Sequence, residues 1–191
     1  DRGTGIGKDG IGIHPDATKT GFYVKKYLQD ASAPLFIKEY YSGQDCILFR
    51  LGEMYLNAAE AAVELNLESE AREYIEPIRI RAGLQQNLRL DAYSGTALRD
   101  RIRNERKIEL AFEDHRYWDV RRWRIAEEAL SIQAQGIKTL RHLDGSGNET
   151  FTYEIFDAET EKMNFYSAQY YIPIGQDRIN NNTKLIENPG H

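Results

Sequence analysis

Residues 102–123, IRNERKIELAFEDHRYWDVRRW, combine a high density of charged side chains with both tryptophans of the chain. On a helical wheel at 100° per residue, Glu105 and Glu109 lie within about 20° of Leu98, in the middle of an apolar stripe. Charged side chains normally collect on the opposite, solvated face of a helix. The pattern therefore predicts two carboxylates that point into the protein.

A carboxylate that faces a core must be paired with a cation, or it takes up a proton. Arginine suits this pairing because its planar guanidinium binds a carboxylate through two hydrogen bonds and is weakly hydrated. The arginines of the neighbouring predicted helices are the candidate partners: Arg50, Arg79, Arg81, Arg116, Arg121 and Arg122. Trp118 and Trp123 are interpreted as helix-packing residues that cover the pairs and stack on guanidinium groups. We expect a buried network of ion pairs that locks the helices together.

A catalytic role for the same carboxylates is the alternative. Glu105 and Glu109, one turn apart, are of the residue type that glycosidases use as acid and base. Neighbouring arginines would lower their pKa values, which suits a general acid poorly. Glu113 and His115 lack the spacing of three or four residues that converges two helical ligands on a metal ion. With no nucleophile elbow, Walker loop or dinucleotide fingerprint, we predict no catalytic residue, no metal site and no cofactor.

The composition sets outer limits on the function. The chain has 191 residues with 41 % hydrophobic side chains, enough for one folded domain or part of a larger one. With 25 basic and 30 acidic residues its net charge is −5, which argues against a nucleic-acid partner. Cys46 is the one cysteine, so no intrachain disulfide forms, and we expect it to be a small buried residue.

Hydrophobic periodicity predicts four helices. They cover residues 46–66, 68–81, 96–113 and 116–134. The first is apolar over most of its circumference, which predicts burial between neighbours. Its main stripe comprises Ile47, Leu51, Met54, Ala58, Ala61, Ala62 and Leu65. Pro77 is expected to kink the second helix or to split off its last turn.

The first two predicted helices form a hairpin with a very short turn. Tyr55, Ala59 and Ala71 lie at tetratricopeptide-like offsets, where small residues allow a tight crossing. After Gly136, residues 136–143 and 149–156 alternate with a period near two around DGSGN, which predicts a β-hairpin. The predicted fold is mainly α: tetratricopeptide-like helical hairpins with a small β-hairpin and an extended C-terminal tail. Its predicted parts are a loop-rich first segment (1–44), a helical core of four helices (45–135), and the hairpin with the tail (136–191).

Four motifs carry a resemblance to a known family. They are RLGEMYLNAAEAAVEL (50–65), IRIRAGL (78–84), IRNERKIELAFEDHRYWDVRRW (102–123) and YYIPIGQDRINNNTKLIENPG (170–190). Together and in this order they closely resemble the C-terminal part of SusD/RagB-like proteins, nutrient-binding lipoproteins of the outer surface of Bacteroidetes.

The resemblance implies a location at the extracellular face of the outer membrane. It implies a partner, a SusC-like TonB-dependent transporter over which the protein acts as a lid, and a glycan or peptide ligand that undergoes no chemistry. It also implies that the N-terminal half and its lipidated cysteine, the only link to the membrane, are absent from this chain. A non-catalytic helical scaffold for protein–protein contact is the alternative function, and a glycosidase is the third.

The motifs of the resemblance are structural and do not locate a ligand. In such proteins, aromatic side chains on loops stack on the apolar faces of sugars. Tyr40, Tyr41 and Tyr93 are therefore the candidate ligand-binding residues, and ordinary half-buried packing is the alternative for each.

Overall fold

The computed structural model describes residues 10–11, 15, 17–28, 45 and 47–191. Its elements, in chain order, are α1 (Leu51–Glu64), α2 (Glu68–Arg81), α3 (Gly95–Glu109), α4 (His115–Arg122), α5 (Ala126–Leu130), β1 (Gln135–Leu143), β2 (Glu149–Asp157), a 3₁₀ turn (Ser167–Tyr170) and α6 (Gln176–Asn181). The mainly α fold class is confirmed. The described residues fall into two compact units: a helical unit with residues 45 and 47–119, and a C-terminal unit with residues 10–11, 15, 17–28 and 120–191.

The helical unit is built on the α1–α2 hairpin. Ala59 and Ala71 are fully buried, as expected of small residues at a tight helix crossing. Helix α2 has the predicted bounds, and Gly83, two residues after its end, has a φ of +78°, the left-handed conformation that glycine adopts at low cost. Pro77 lies inside α2 without splitting off the last turn, so that alternative was wrong, and the kink stays a prediction.

The core of the helical unit is formed by one continuous cluster of apolar side chains. It comprises Leu56, Ala59, Ala62, Val63, Ala71, Ile75, Ile78, Leu90, Leu98, Ile102 and Leu110. On α1 the packed side is therefore the one that carries Leu56 and Val63. The predicted stripe was wrong for most of its members, because Leu51, Met54 and Leu65 are exposed.

The later helices are shorter than predicted. Helix α3 ends at Glu109 and is followed by a turn in which Phe112 and Asp114 have positive φ. The predicted fourth helix is two helices, α4 and α5, separated where Arg124 has a φ of +58°. The region 45–135 thus holds five helices among its described residues, where four were predicted.

The C-terminal unit contains the predicted β-hairpin. Strands β1 and β2 pair antiparallel, with Ile137 opposite Ile155 and Arg141 opposite Phe151. Asp144 closes the turn by accepting hydrogen bonds from the backbone N–H groups of Ser146 and Asn148, each at 2.8 Å. Hydrogen bonds from Asn148, its side-chain amide first, hold the pKa of Asp144 below its usual value. The tail that follows is extended except for the 3₁₀ turn and α6.

Candidate functional site

Arg50 is the centre of the predicted ion-pair network. It precedes α1, and its guanidinium Nη1 donates to Glu109 Oε1 at 2.7 Å. Its Nε and Nη2 donate to the two carboxylate oxygens of Glu113, at 2.8 and 2.9 Å. The hydrogen bonds that Glu113 accepts, with help from Glu109, raise the pKa of Arg50 above its usual value, although burial acts in the opposite direction. One arginine thus joins the start of α1 to the end of α3.

Two arginines at the end of α2 complete this network. Arg81 Nη2 donates to both carboxylate oxygens of Glu109, at 2.7 and 2.6 Å. Arg79 Nη1 donates to Glu105, which is 8 % exposed. The prediction that Glu105 and Glu109 point inward and pair with Arg50, Arg79 and Arg81 is confirmed.

A second buried ion pair was not predicted. Arg106 Nε lies 2.9 and 2.8 Å from the two carboxylate oxygens of Asp119, and Arg106 Nη1 donates to Asn57 Oδ1 at 2.6 Å. On the helical wheel Arg106 lies about 80° from Leu98, at the margin of the apolar stripe. That position was the signal in the sequence that Arg106 is buried. The sequence contains no such signal for Asp119, because the orientation of its side chain depends on how α4 packs.

The remaining candidate arginines have other surroundings. The guanidinium carbons of Arg121 and Arg122 lie 5.1 Å from the Phe165 ring centroid and 4.7 Å from that of Trp123. Burial lowers the pKa of Arg116, and the charge of Asp119 opposes this effect. The prediction of guanidinium stacking is confirmed for Trp123.

The interpretation of Trp118 as a helix-packing residue was wrong. Its side chain is 63 % exposed and meets Tyr117 edge to face, with 4.9 Å between the ring centroids.

The chemistry open to these carboxylates is limited by their partners. Glu105, Glu109 and Glu113 all accept hydrogen bonds from arginine, so their carboxylate oxygens are engaged in contacts between elements of the fold. Within the described ranges, no group of three or more His, Cys, Asp or Glu side chains is arranged to hold a metal ion.

Tyr93 is the one predicted ligand residue that the structure describes, since Tyr40 and Tyr41 lie outside the described residues. Cys46, which was expected to be a small buried residue, also lies outside them. Tyr93 is half-buried between α2 and α3, against the core cluster. The guanidinium carbon of Arg101 lies 4.6 Å from its ring centroid, and Arg72 donates to its carbonyl oxygen at 2.6 Å. This is the half-buried packing that was the alternative for this residue, and its ligand role stays a prediction.

Exposed aromatic side chains of the C-terminal unit were missed as candidates. Tyr153 lies on β2, and Tyr166 and Tyr171 flank the 3₁₀ turn. Two features of the sequence could have pointed to these residues: the alternation of side chains with a period near two in β2, and the pair Tyr170–Tyr171 before Pro173. Both features were interpreted only as signs of secondary structure. The charged network and these surface aromatics therefore belong to different parts of the molecule.

Comparison with known proteins shows the family to which this chain is similar. The model of the SusD family matches residues 5–191. The chain is 44 % identical to "SusD-like protein P25" of Formosa agariphila over 80 residues, which is 41 % of this chain and 15 % of that protein. It is 31 % identical to "SusD-like protein P2" of the same organism over 157 residues, 78 % of this chain and 26 % of that protein. The chain thus matches about a quarter or less of each relative's length. No solved structure matches it.

Proposed function

Because this chain belongs to the SusD family, we propose that it is part of a cell-surface protein that binds a glycan nutrient and delivers it to a TonB-dependent transporter of the SusC type. Members of the family are in general non-catalytic proteins of glycan uptake, associated with the outer membrane. The observation that carries the proposal is the extent of the family match, residues 5–191.

The charged network supports binding without catalysis. Its carboxylates are neutralised by Arg50, Arg79 and Arg81 and connect α1, α2 and α3. Such pairs fix the relative positions of helices, which is a structural role. Analysis of products after long incubation of the protein with glycans tests this point, and released oligosaccharides would contradict it.

For the ligand contacts we propose Tyr40, Tyr41 and Tyr93, which supply aromatic faces for sugar rings. In calorimetry with a panel of neutral and acidic oligosaccharides, at least one glycan should bind the wild-type protein. The Tyr40→Ala/Tyr41→Ala double variant should bind it about tenfold more weakly, since stacking on one aromatic ring contributes roughly 1 kcal/mol. Tyr23→Ala, which removes an exposed tyrosine outside the proposed contacts, is the matched control and should bind as wild type. Unchanged binding by the double variant would remove these tyrosines from the site.

Delivery to a transporter and attachment to the outer membrane by a lipid anchor outside this chain are also proposals. No helix among the described residues has the length and hydrophobicity needed to cross a bilayer. Co-purification of the tagged protein with a SusC-type barrel from outer membranes tests the partnership. Surface proteolysis of intact cells tests the extracellular location, because a protein on the outer face is cleaved and an internal one is protected.

A protein–protein scaffold remains the second candidate, and the exposed side of α1 favours it. Leu51, Met54 and Leu65 lie on this side and are exposed, and an apolar surface of this kind is typical of interaction sites. If no glycan in the panel binds while the wild-type protein associates with the barrel and Leu51→Asp/Met54→Asp does not, the scaffold function replaces glycan binding.

A further inference from the structure

The C-terminal unit holds an arginine in an unusual backbone conformation between two helices. Arg124 follows α4 and precedes α5, and its φ of +58° is left-handed, which is uncommon for a residue with a side chain. Its backbone N–H donates to the carbonyl oxygen of Arg121 at 3.0 Å. This conformation directs the Arg124 side chain towards the aromatic residues of the tail.

Two tyrosine rings hold the Arg124 guanidinium. Its central carbon lies 4.3 Å from the Tyr170 ring centroid and 5.5 Å from that of Tyr171. Nη1 also lies 3.4 Å from the hydroxyl oxygen of Tyr171. Stacking engages the faces of a guanidinium and leaves its N–H groups, which point outward in the plane, available to an acceptor.

The rings themselves are fixed in place. The Tyr170 hydroxyl oxygen accepts from the backbone N–H of Ala126 at 2.9 Å, and the ring meets Phe165 edge to face, with 5.0 Å between centroids. The side chain of His191 lies 3.1 Å from the carbonyl oxygen of Tyr171. A guanidinium on such a support loses little conformational freedom when it binds a ligand.

The charge of Arg124 is not neutralised within the described part of the chain, where it has no carboxylate partner. Its side chain and that of Tyr171, 45 % exposed, are both open to solvent. An exposed, pre-oriented guanidinium beside an exposed aromatic ring suits a sugar that carries a carboxylate. The guanidinium binds a planar carboxylate through two hydrogen bonds, and the ring stacks on the pyranose that carries the carboxylate.

We propose that Arg124 and Tyr171 form a binding site for an acidic glycan and that Arg124 pairs with the carboxylate of a uronic acid residue. This inference rests on the proposed function, since it names the class of glycan. It also places a sugar contact in the C-terminal unit, apart from Tyr93.

Calorimetry with trigalacturonic acid and with its fully methyl-esterified form tests the site. The wild-type protein should bind the acid about tenfold more tightly than the neutral ester, because esterification removes the charge that pairs with arginine. Raising the salt concentration should weaken binding of the acid and leave that of the ester unchanged. A sulfated galactan oligosaccharide separates carboxylate from sulfate recognition: if it binds more tightly than trigalacturonic acid, the uronate assignment is overturned.

Substitutions assign the effect to these residues. Arg124→Gln should bind trigalacturonic acid at least tenfold more weakly, and Arg124→Lys should fall between it and wild type, since lysine keeps the charge but not the planar pair of donors. Tyr171→Phe, which keeps the ring and removes the hydroxyl, should bind trigalacturonic acid roughly threefold more weakly than wild type. The control is Arg178→Gln, an exposed arginine of α6 in the same unit, which should bind as wild type. Circular dichroism checks that each variant is folded.

The outcomes separate the two proposals. Equal binding of trigalacturonic acid by wild type and Arg124→Gln overturns the site. Binding of neutral oligosaccharides together with no binding of the acid overturns it too and leaves the proposed function standing. Failure of every glycan to bind the wild-type protein overturns both.

Discussion

Arg106 and Asp119 form an ion pair inside the helical unit, with Arg106 Nε 2.9 and 2.8 Å from the two carboxylate oxygens. Arg106 is 5 % exposed and Asp119 is 2 % exposed. The desolvation of two charges offsets much of their attraction, so such a pair contributes modestly as a whole, but the loss of one partner leaves a buried charge unpaired.

Asp119→Asn should therefore destabilise the protein strongly. The amide keeps the shape of the side chain but leaves the Arg106 charge without a counter-ion, at a cost of about 3–5 kcal/mol in the free energy of unfolding. Urea denaturation followed by circular dichroism measures this. Asp100→Asn, at an exposed position of the same helix as Arg106, is the control and should change stability by less than about 0.5 kcal/mol. A urea midpoint for Asp119→Asn equal to that of wild type would mean that Arg106 is solvated.

Arg50 and Arg81 both donate hydrogen bonds to Glu109, but they should contribute unequally to the free energy of unfolding. Arg50→Ala leaves Glu109 and Glu113 without their shared partner, and both carboxylates are well buried. The expected loss is about 3–5 kcal/mol. The Arg81 side chain is 64 % exposed, so water screens its pair and Arg81→Ala should cost less than about 1 kcal/mol. The same denaturation experiment compares them, and equal losses would contradict the central role of Arg50.

Gly52 keeps space for the Arg50 guanidinium. A Cβ at this position would lie 2.5 Å from Arg50 Nη1 and 3.4 Å from Glu109 Oε1. Alanine usually stabilises a helix interior by roughly 0.5–1 kcal/mol relative to glycine. Here that gain is outweighed by displacement of a charge-assisted hydrogen bond of about 1.5–3 kcal/mol, so Gly52→Ala should lower the free energy of unfolding by about 1–2 kcal/mol. Gly145→Ala, in open space, is the control, and a more stable Gly52→Ala protein would refute the steric argument.

Glu68 should make the stability depend on pH in acid. Its Oε1 accepts from the backbone N–H of Gly95 at 2.6 Å and its Oε2 from Arg72 at 2.9 Å. These bonds, that of Gly95 first, lower the pKa of Glu68 from its ordinary value of 4.5. A lowered pKa contributes stability that is complete above the ordinary value and is lost as the pH falls through the folded-state value.

Urea midpoints measured from neutral pH down to about pH 3 test this contribution. Glu68→Gln should lose less stability than wild type over the acid part of this range, because the substituted side chain cannot take up the proton. Glu70→Gln, exposed on the same turn, is the control and should follow the wild-type curve. Parallel curves for Glu68→Gln and wild type would show that the capping contact with Gly95 does not form in solution.

The sequence predicted those features that depend on local pattern. The bounds of α2 and the presence of the β-hairpin follow from apolar spacing and from the glycines that end or turn the chain. The inward direction of Glu105 and Glu109 followed from their angle relative to Leu98 within one helix. In each case the deciding residues lie within one or two elements.

Other features depend on non-local packing and were not predictable. Helix α1 is apolar over most of its circumference, so periodicity alone does not select the side of Leu56 and Val63 over that of Leu51 and Met54. The break before α5 occurs at an arginine with positive φ, where no glycine or proline marks it. The contact between Tyr171 and Arg124 was not predictable because the two residues lie 47 positions apart in the chain.

The hydrogen bonds of Arg50 join residues 59 and 63 positions apart, and this separation has a consequence for synthesis of the chain. During translation α1 and α2 emerge before α3 and can associate through contacts between neighbours in sequence. At that stage Arg50, Arg79 and Arg81 have none of the carboxylates that α3 and the turn after it supply. The ion pairs that these three arginines form in the folded protein therefore wait until the ribosome has released residue 113.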